Sequence, residues 1–315
     1  MHELLNVLVY LRESDARYRQ RLIDSDDVQF TFCESKSEVR QSIEQADIIL
    51  GSITFPTHLL SLAKQLQWIQ VTGAGVDVFL ANQSLPASVK LTRANVSFGD
   101  QIAEYVIGHL LSLTQRLRDV HRHQASRMWQ SLEVTFLKGR TIGIAGTGSI
   151  GQSVAHLAHA MGMRVLGLAS SNREIEGFEH VYGPADLATF ISGVDVLVIC
   201  LPLTERTRGL FGSEQLALLR KSAILVNIAR GAIVDESALV NALQHGCVQA
   251  AILDVFEQEP LPSDHPLWTF DNVTITAHHS GLNIPDDIID FFLDNLSRFR
   301  SGNPLNGLVN VSKGY

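Results

Sequence analysis

Residues 141–151 read TIGIAGTGSIG and place Gly146, Gly148 and Gly151 in G-x-G-x-x-G spacing. That spacing is common by itself, and its setting is what makes it restrictive. The run TIGIA before it is apolar, while SVAHLAHAMGM after it puts Val154, Leu157, Ala158 and Met161 on one helical stripe. A second apolar run, RVLGLAS, comes next. Strand, glycine turn, helix and strand make a βαβ unit, and such units build parallel sheets. The first glycine permits the tight turn, the second lets backbone approach a pyrophosphate, and the third lets the helix pack closely on the sheet. The helix start, with Ser149 and Ile150, turns N–H groups and a positive dipole end toward phosphates. A dinucleotide is therefore the expected ligand.

The end of the second run bears on which dinucleotide. An Asp or Glu there would bond the ribose 2′-hydroxyl of NAD. This chain has Leu168, Ala169, Ser170, Ser171, Asn172 and Arg173, with no carboxylate before Glu174. Ser170, Ser171 and Arg173 are donors suited to a 2′-phosphate, so NADP(H) is favoured over NAD(H).

The pattern around this unit is α/β throughout. Leu5–Tyr10, 46–50 and Trp68–Val71 are strand-like runs separated by polar helical stretches, and GAGVD follows the third. From Asp100 a long helix is expected, with Ile102, Val106, Leu110 and Leu113 on one face. That face suits either a subunit interface or the chain's own core. Strand-like runs then recur at Thr141–Ala145, 164–169, 194–200, 223–228, Ala250–Leu253 and 273–276. Each is apolar for most of its length, as strands buried on both faces are. A doubly wound sheet of at least six strands follows, set into a second α/β domain. The chain is expected to leave that domain near Asn95 and return near Pro285, before a final helix, DDIIDFFLDNLSRF.

The 315 residues suffice for two domains of ordinary size. With 25 basic and 33 acidic residues the formal charge is −8, which disfavours nucleic acid and anionic membrane as partners. The first residues, MHELLNVLVYLRESD, lack the features of a signal peptide, and no run is long enough to span a membrane. Cys33, Cys200 and Cys247 have no metal-ligand spacing, and a reducing cytoplasm is the expected location.

Three later segments carry candidate chemistry at strand ends, where open α/β sheets bind ligands. They are NIARGAIVD with Arg230, DVFEQEPLP with Glu259, and TITAHHSG with His278. The order GAGVD, GTGSIG, LPLT, NIARG, DVFEQEP and strand-end histidine resembles the D-isomer-specific 2-hydroxyacid dehydrogenases over essentially the whole chain. Within that family the chain is most similar to the glyoxylate/hydroxypyruvate reductases, down to an ending in KGY.

The resemblance implies two Rossmann-like domains. A doubly wound, parallel-sheet NAD(P)-binding domain, 96–284, would be inserted into a discontinuous, flavodoxin-like substrate domain, 1–95 plus 285–315. It also implies roles for residues of this chain. His278 matches the family's acid/base histidine, and histidine titrates nearest neutrality. Glu259 matches the carboxylate that pairs with it. Arg230 matches the substrate arginine, whose planar fork suits a carboxylate and a polarised carbonyl. Backbone N–H groups of Ala74 and Gly75 are implied to hold the substrate carboxylate. Leu201, Pro202 and Thr207 would line the cofactor groove, Ile228, Ala229 and His278 would approach the nicotinamide, and Asp254 would bond its carboxamide. Met128 and Trp129 are implied near a partner subunit in a homodimer. The chain departs from the family in having Ala277 where proline often precedes the histidine.

No metal site is expected. Neighbours such as His278 and His279 diverge in an extended segment, and the helical pairs His121/His123 and His156/His159 lack an acid or thiol partner. Two other functions share these features: a dehydrogenase for phosphoglycerate or a bulkier D-hydroxyacid, and a non-catalytic dinucleotide-sensing protein. Turnover separates the second from the enzymes; the catalytic set does not separate the first.

Overall fold

Twelve strands, all paired in parallel, form two separate sheets in a computed structural model that describes residues 4–11, 16–81, 85, 86, 88–94, 96, 98–311 and 314. The first sheet comprises β1 (Leu5–Tyr10), β2 (Val28–Cys33), β3 (Ile48–Gly51), β4 (Trp68–Val71) and β5 (Lys90–Arg93), in the order β2-β1-β3-β4-β5. That is the flavodoxin-like order. Ile48, Ile49, Trp68 and Ile69 are buried on both faces of this sheet, which explains the unbroken apolar runs.

The second sheet comprises β6 (Thr141–Ala145), β7 (Arg164–Leu168), β8 (His180–Tyr182), β9 (Val196–Ile199), β10 (Ile224–Asn227), β11 (Ala250–Leu253) and β12 (Val273–Ile275). Its order is β12-β11-β10-β9-β6-β7-β8. Strand β6 pairs with β7 on one side and β9 on the other, so the winding reverses at β6. In open α/β sheets ligands bind outside the strand ends at such a point, and the glycine loop begins there.

The chain divides into two compact units, one running to Phe98 and resuming at Asn283, the other spanning Gly99–Leu282. The sequence puts the crossings near Asn95, which lies outside the described residues, and Pro285. Of the terminal KGY only Gly314 is described. Among the described residues no helix is long and apolar enough to cross a membrane.

The sequence reading omits three strands, β2, β5 and β8. In β2 only the end residues Val28 and Cys33 are buried, and β8 has three residues, one of them buried. Both lie at sheet edges, where a long apolar run is not required. The expected long helix is Phe98–Thr114, followed by a second at Leu117–Ala125. Ile102, Val106 and Leu110 are buried within the chain, so this stripe serves the chain's own core. The helix Leu117–Ala125, by contrast, buries none of its residues.

Candidate active site

The glycine loop takes its shape from close approaches that leave no room for side chains. Gly146 sits at φ +107, and a Cβ there would lie 2.6 Å from the carbonyl oxygen of Cys200, just past β9. A Cβ on Gly151 would lie 2.0 Å from the Gly146 carbonyl oxygen. Gly148 faces open space and heads the helix Ser149–Ala160 without a side-chain cap. Exposed Gly148 and Ser149 beside half-buried Ile150 thus present a helix start suited to a pyrophosphate. Buried Thr147 packs its methyl group on Gly167 of β7, and its hydroxyl accepts from Arg173 Nη2 at 3.1 Å. The arginine therefore folds back onto the glycine loop. Ser170 and Ser171 are exposed just beyond β7. These residues fit a dinucleotide carrying an extra phosphate.

The other groove candidates are ordered by their own loops. Thr207 Oγ1 donates to the Pro202 carbonyl at 2.6 Å and accepts from the Thr204 N–H at 2.8 Å, closing the turn after Leu201. Past β10, Asn227 Oδ1 accepts from the Ala229 N–H at 3.1 Å while its Nδ2 donates to the Arg230 carbonyl at 3.0 Å. One buried side chain thereby sets the path of Ile228, Ala229 and Arg230. Ala74 and Gly75 are half-buried in the bend between β4 and the helix Asp77–Leu80, within the first unit.

Arg230, Glu259 and His278 meet within the second unit at the ends of β10, β11 and β12. A Cβ on Gly231 would lie 1.9 Å from the carbonyl carbon of Phe256, so the backbone after Arg230 rests directly on the start of the Glu259 loop. Glu259 Oε1 accepts from the Phe256 N–H at 3.0 Å. Its Oε2 lies 2.8 Å from His278 Nδ1. Burial pushes the Glu259 carboxyl up, but the bonds from His278 and Phe256 and the charges of His278 and Arg230 outweigh it, holding the group below its ordinary value. An ionised carboxylate only accepts, so His278 donates from Nδ1 and Nε2 is left for proton exchange. The Arg230 Nη1 donates to the Ala229 carbonyl at 2.7 Å. The loop has a further support: Glu236 Oε1 accepts from the Glu257 N–H at 2.6 Å, and His265 Nε2 lies 3.4 Å from Glu236 Oε2.

His278 itself is left-handed, at φ +52, not extended. Its N–H donates to the Asp254 carbonyl at 2.9 Å. Asp254 has no exposed surface, and its carboxylate accepts from the segment around His278 rather than facing outward. His279 lies with its ring 6.0 Å from that of Tyr105. Sequence reasoning singled out neither Thr147, Asn227, Glu236, Thr276 nor Tyr105. Only Asn227 carries a local signal, being the first residue of NIARG; the others act through contacts distant in sequence.

A dinucleotide loop at the switch point, with an acid–histidine pair and an arginine at the neighbouring strand ends, defines an NAD(P)-dependent oxidoreductase. The family description "D-isomer specific 2-hydroxyacid dehydrogenase, NAD binding domain" matches residues 107–280. The chain belongs to that family. It is 35% identical over 266 residues to a glyoxylate/hydroxypyruvate reductase A from Yersinia enterocolitica, covering 82% of this chain and 85% of that one. Among solved structures it is similar to a D-isomer specific 2-hydroxyacid dehydrogenase family protein from Aeromonas salmonicida, with TM-score 0.90 and 38% identity, covering 98% of this chain and 100% of that one. It is also similar to an NADPH-dependent glyoxylate/hydroxypyruvate reductase from Sinorhizobium meliloti in complex with NADP and sulfate. That match has TM-score 0.88 and 29% identity, covering 99% and 100%.

Proposed function

We propose that this chain reduces glyoxylate and hydroxypyruvate with NADPH, using His278 as acid, Glu259 as its partner and Arg230 as the substrate clamp. The observation that carries the reading is the 2.8 Å contact between His278 Nδ1 and Glu259 Oε2, with the Arg230 charge acting on the same carboxylate. When bound, the nicotinamide supplies the hydride that reaches the carbonyl carbon. His278 Nε2 gives a proton to the carbonyl oxygen, and Glu259 holds the Nδ1–H so that only one ring nitrogen exchanges. The guanidinium of Arg230 pairs with the substrate carboxylate and polarises the carbonyl. Backbone N–H groups of Ala74 and Gly75 are assigned to substrate binding, with the first unit as the substrate domain and the second as the cofactor domain.

NADPH is favoured by Arg173 on Thr147 beside exposed Ser170 and Ser171, and the choice of small 2-oxoacids by the names of the relatives. Leu201, Pro202, Ile228 and Ala229 are assigned to the cofactor groove. A homodimer is proposed from the exposed apolar side chains at 117–136. The free thiols of Cys33, Cys200 and Cys247 favour a reducing cytoplasm.

The test is initial rates of NADPH and NADH oxidation with glyoxylate, hydroxypyruvate, pyruvate and phenylpyruvate. Fast turnover of the two smallest acids with NADPH, lost in His278→Ala by about a thousandfold or more, is the expected result. Dinucleotide binding without turnover of any 2-oxoacid overturns the enzyme reading in favour of sensing.

A further inference from the structure

Tyr105, Thr276 and Asp254 form a chain of hydrogen bonds with a fixed direction. Tyr105 Oη lies 2.7 Å from Thr276 Oγ1. Thr276 Oγ1 donates to Asp254 Oδ1 at 2.5 Å. The carboxylate can only accept, so the single threonine proton is committed to it and the tyrosine must donate to the threonine. Burial pushes the Tyr105 phenol well above its ordinary value, assisted by the Asp254 charge and only partly offset by the bond to Thr276, so the donor stays protonated.

The far end of the chain is anchored on both sides of His278. Asp254 Oδ1 also accepts from the His279 N–H at 2.9 Å, and Oδ2 from the Ser280 N–H at 2.9 Å. The Ser280 hydroxyl bonds the same carboxylate. Thr276, His279 and Ser280 supply all of these donors, and they bracket the residue held at φ +52. A left-handed residue with a Cβ persists only where its surroundings over-determine it. Burial pushes the Asp254 carboxyl up, and the bonds from Ser280, Thr276 and His279 outweigh it, so the anchor is ionised.

We propose that Tyr105, Thr276 and Asp254 are positioning residues for the proton transfer, fixing the left-handed turn that keeps the His278 ring on Glu259. The proposal rests on the reading of His278 as the acid. It assigns to the helix Phe98–Thr114 a part in the reaction: one face of it supplies core, and Tyr105 on it sets the histidine segment from 171 residues away in sequence.

The experiment compares Tyr105→Phe, Thr276→Val and Thr276→Ser in the full chain, by steady-state kinetics with NADPH and glyoxylate and by amide hydrogen exchange without substrate. Thr276→Val is expected to lower kcat by about thirtyfold and Tyr105→Phe by about tenfold, each leaving the KM for NADPH within about twofold. Thr276→Ser, which keeps the donor, should return kcat to within about threefold of the native enzyme. Exchange at His278–Ser280 should speed up about tenfold in Thr276→Val while β6 and β9 keep their protection. If exchange at 278–280 is unchanged, or rises equally across the whole second unit, the positioning role is wrong. So it is if kcat falls no less in Thr276→Ser than in Thr276→Val. Failure of the function reading looks different: the native chain turns over no 2-oxoacid, while local exchange at 278–280 still responds to Thr276→Val.

Discussion

Glu259 is asked to do two things at once, to hold the His278 Nδ1–H and to fold its own loop through the Phe256 N–H. Both bonds are stronger to the ionised form, which is why its carboxyl lies below the ordinary range in spite of burial. The consequence for stability has a definite sign. A carboxyl whose folded value is depressed contributes stability in full above its unfolded value, roughly 4, and loses that contribution as the pH falls through the folded value. Glu259→Gln has no such loss at this position. Melting temperatures of the two proteins should therefore differ most above the ordinary carboxylate range and converge as the pH falls below it, through the depressed folded value. A difference that stays constant over that range would mean that the carboxylate contributes no charge-dependent stabilisation. Gly231 makes the same corner possible without any charge, since only a residue lacking Cβ lets the chain after Arg230 lie on the Phe256 carbonyl.

At the scale of elements, the ends of β6 and β7 are where the proposed function places the adenosine side of the cofactor. Arg173 is held on Thr147, which is itself held on Gly167, so the guanidinium sits on a packed support. Arg173→Ala should raise the KM for NADPH about tenfold or more and leave that for NADH nearly unchanged; equal effects on both would separate Arg173 from the 2′-phosphate. The loop itself was legible in the sequence because Gly146 and Gly151 answer steric demands, while Gly148 heads the helix in open space. The central strands were legible because both faces are buried and the runs are apolar. Strands β2 and β8 were not, being edge strands with polar or few residues. In the site, Arg230, Glu259 and His278 were readable from their motifs at strand ends. The left-handed backbone of His278 and its support from Tyr105 were not. No local pattern encodes a bond between residues 105 and 276, and nothing in AHHSG marks which residue leaves the extended region.

For the whole molecule, the distribution of exposed apolar surface separates one segment from the rest. Leu117, Val120, Met128, Trp129, Val134 and Phe136 are all exposed, Trp129 completely and Phe136 at 72%. They lie on a helix that buries none of its residues and on the segment without regular structure that follows it. The central face of the helix Phe98–Thr114, which the sequence offered as a rival interface, is used up inside the chain. Large aromatic side chains left in water on one segment are the kind of surface that association covers, and the proposed homodimer would cover it with a second copy of the same chain. Sedimentation at micromolar concentration should thus give about twice the 34.7 kDa chain mass. Replacing Trp129 and Phe136 together by serine should return it to the mass of one chain, with the melting of the second sheet little changed, because neither side chain is part of that core. A native protein that sediments as a single chain would remove the dimer and leave this exposed segment for another partner.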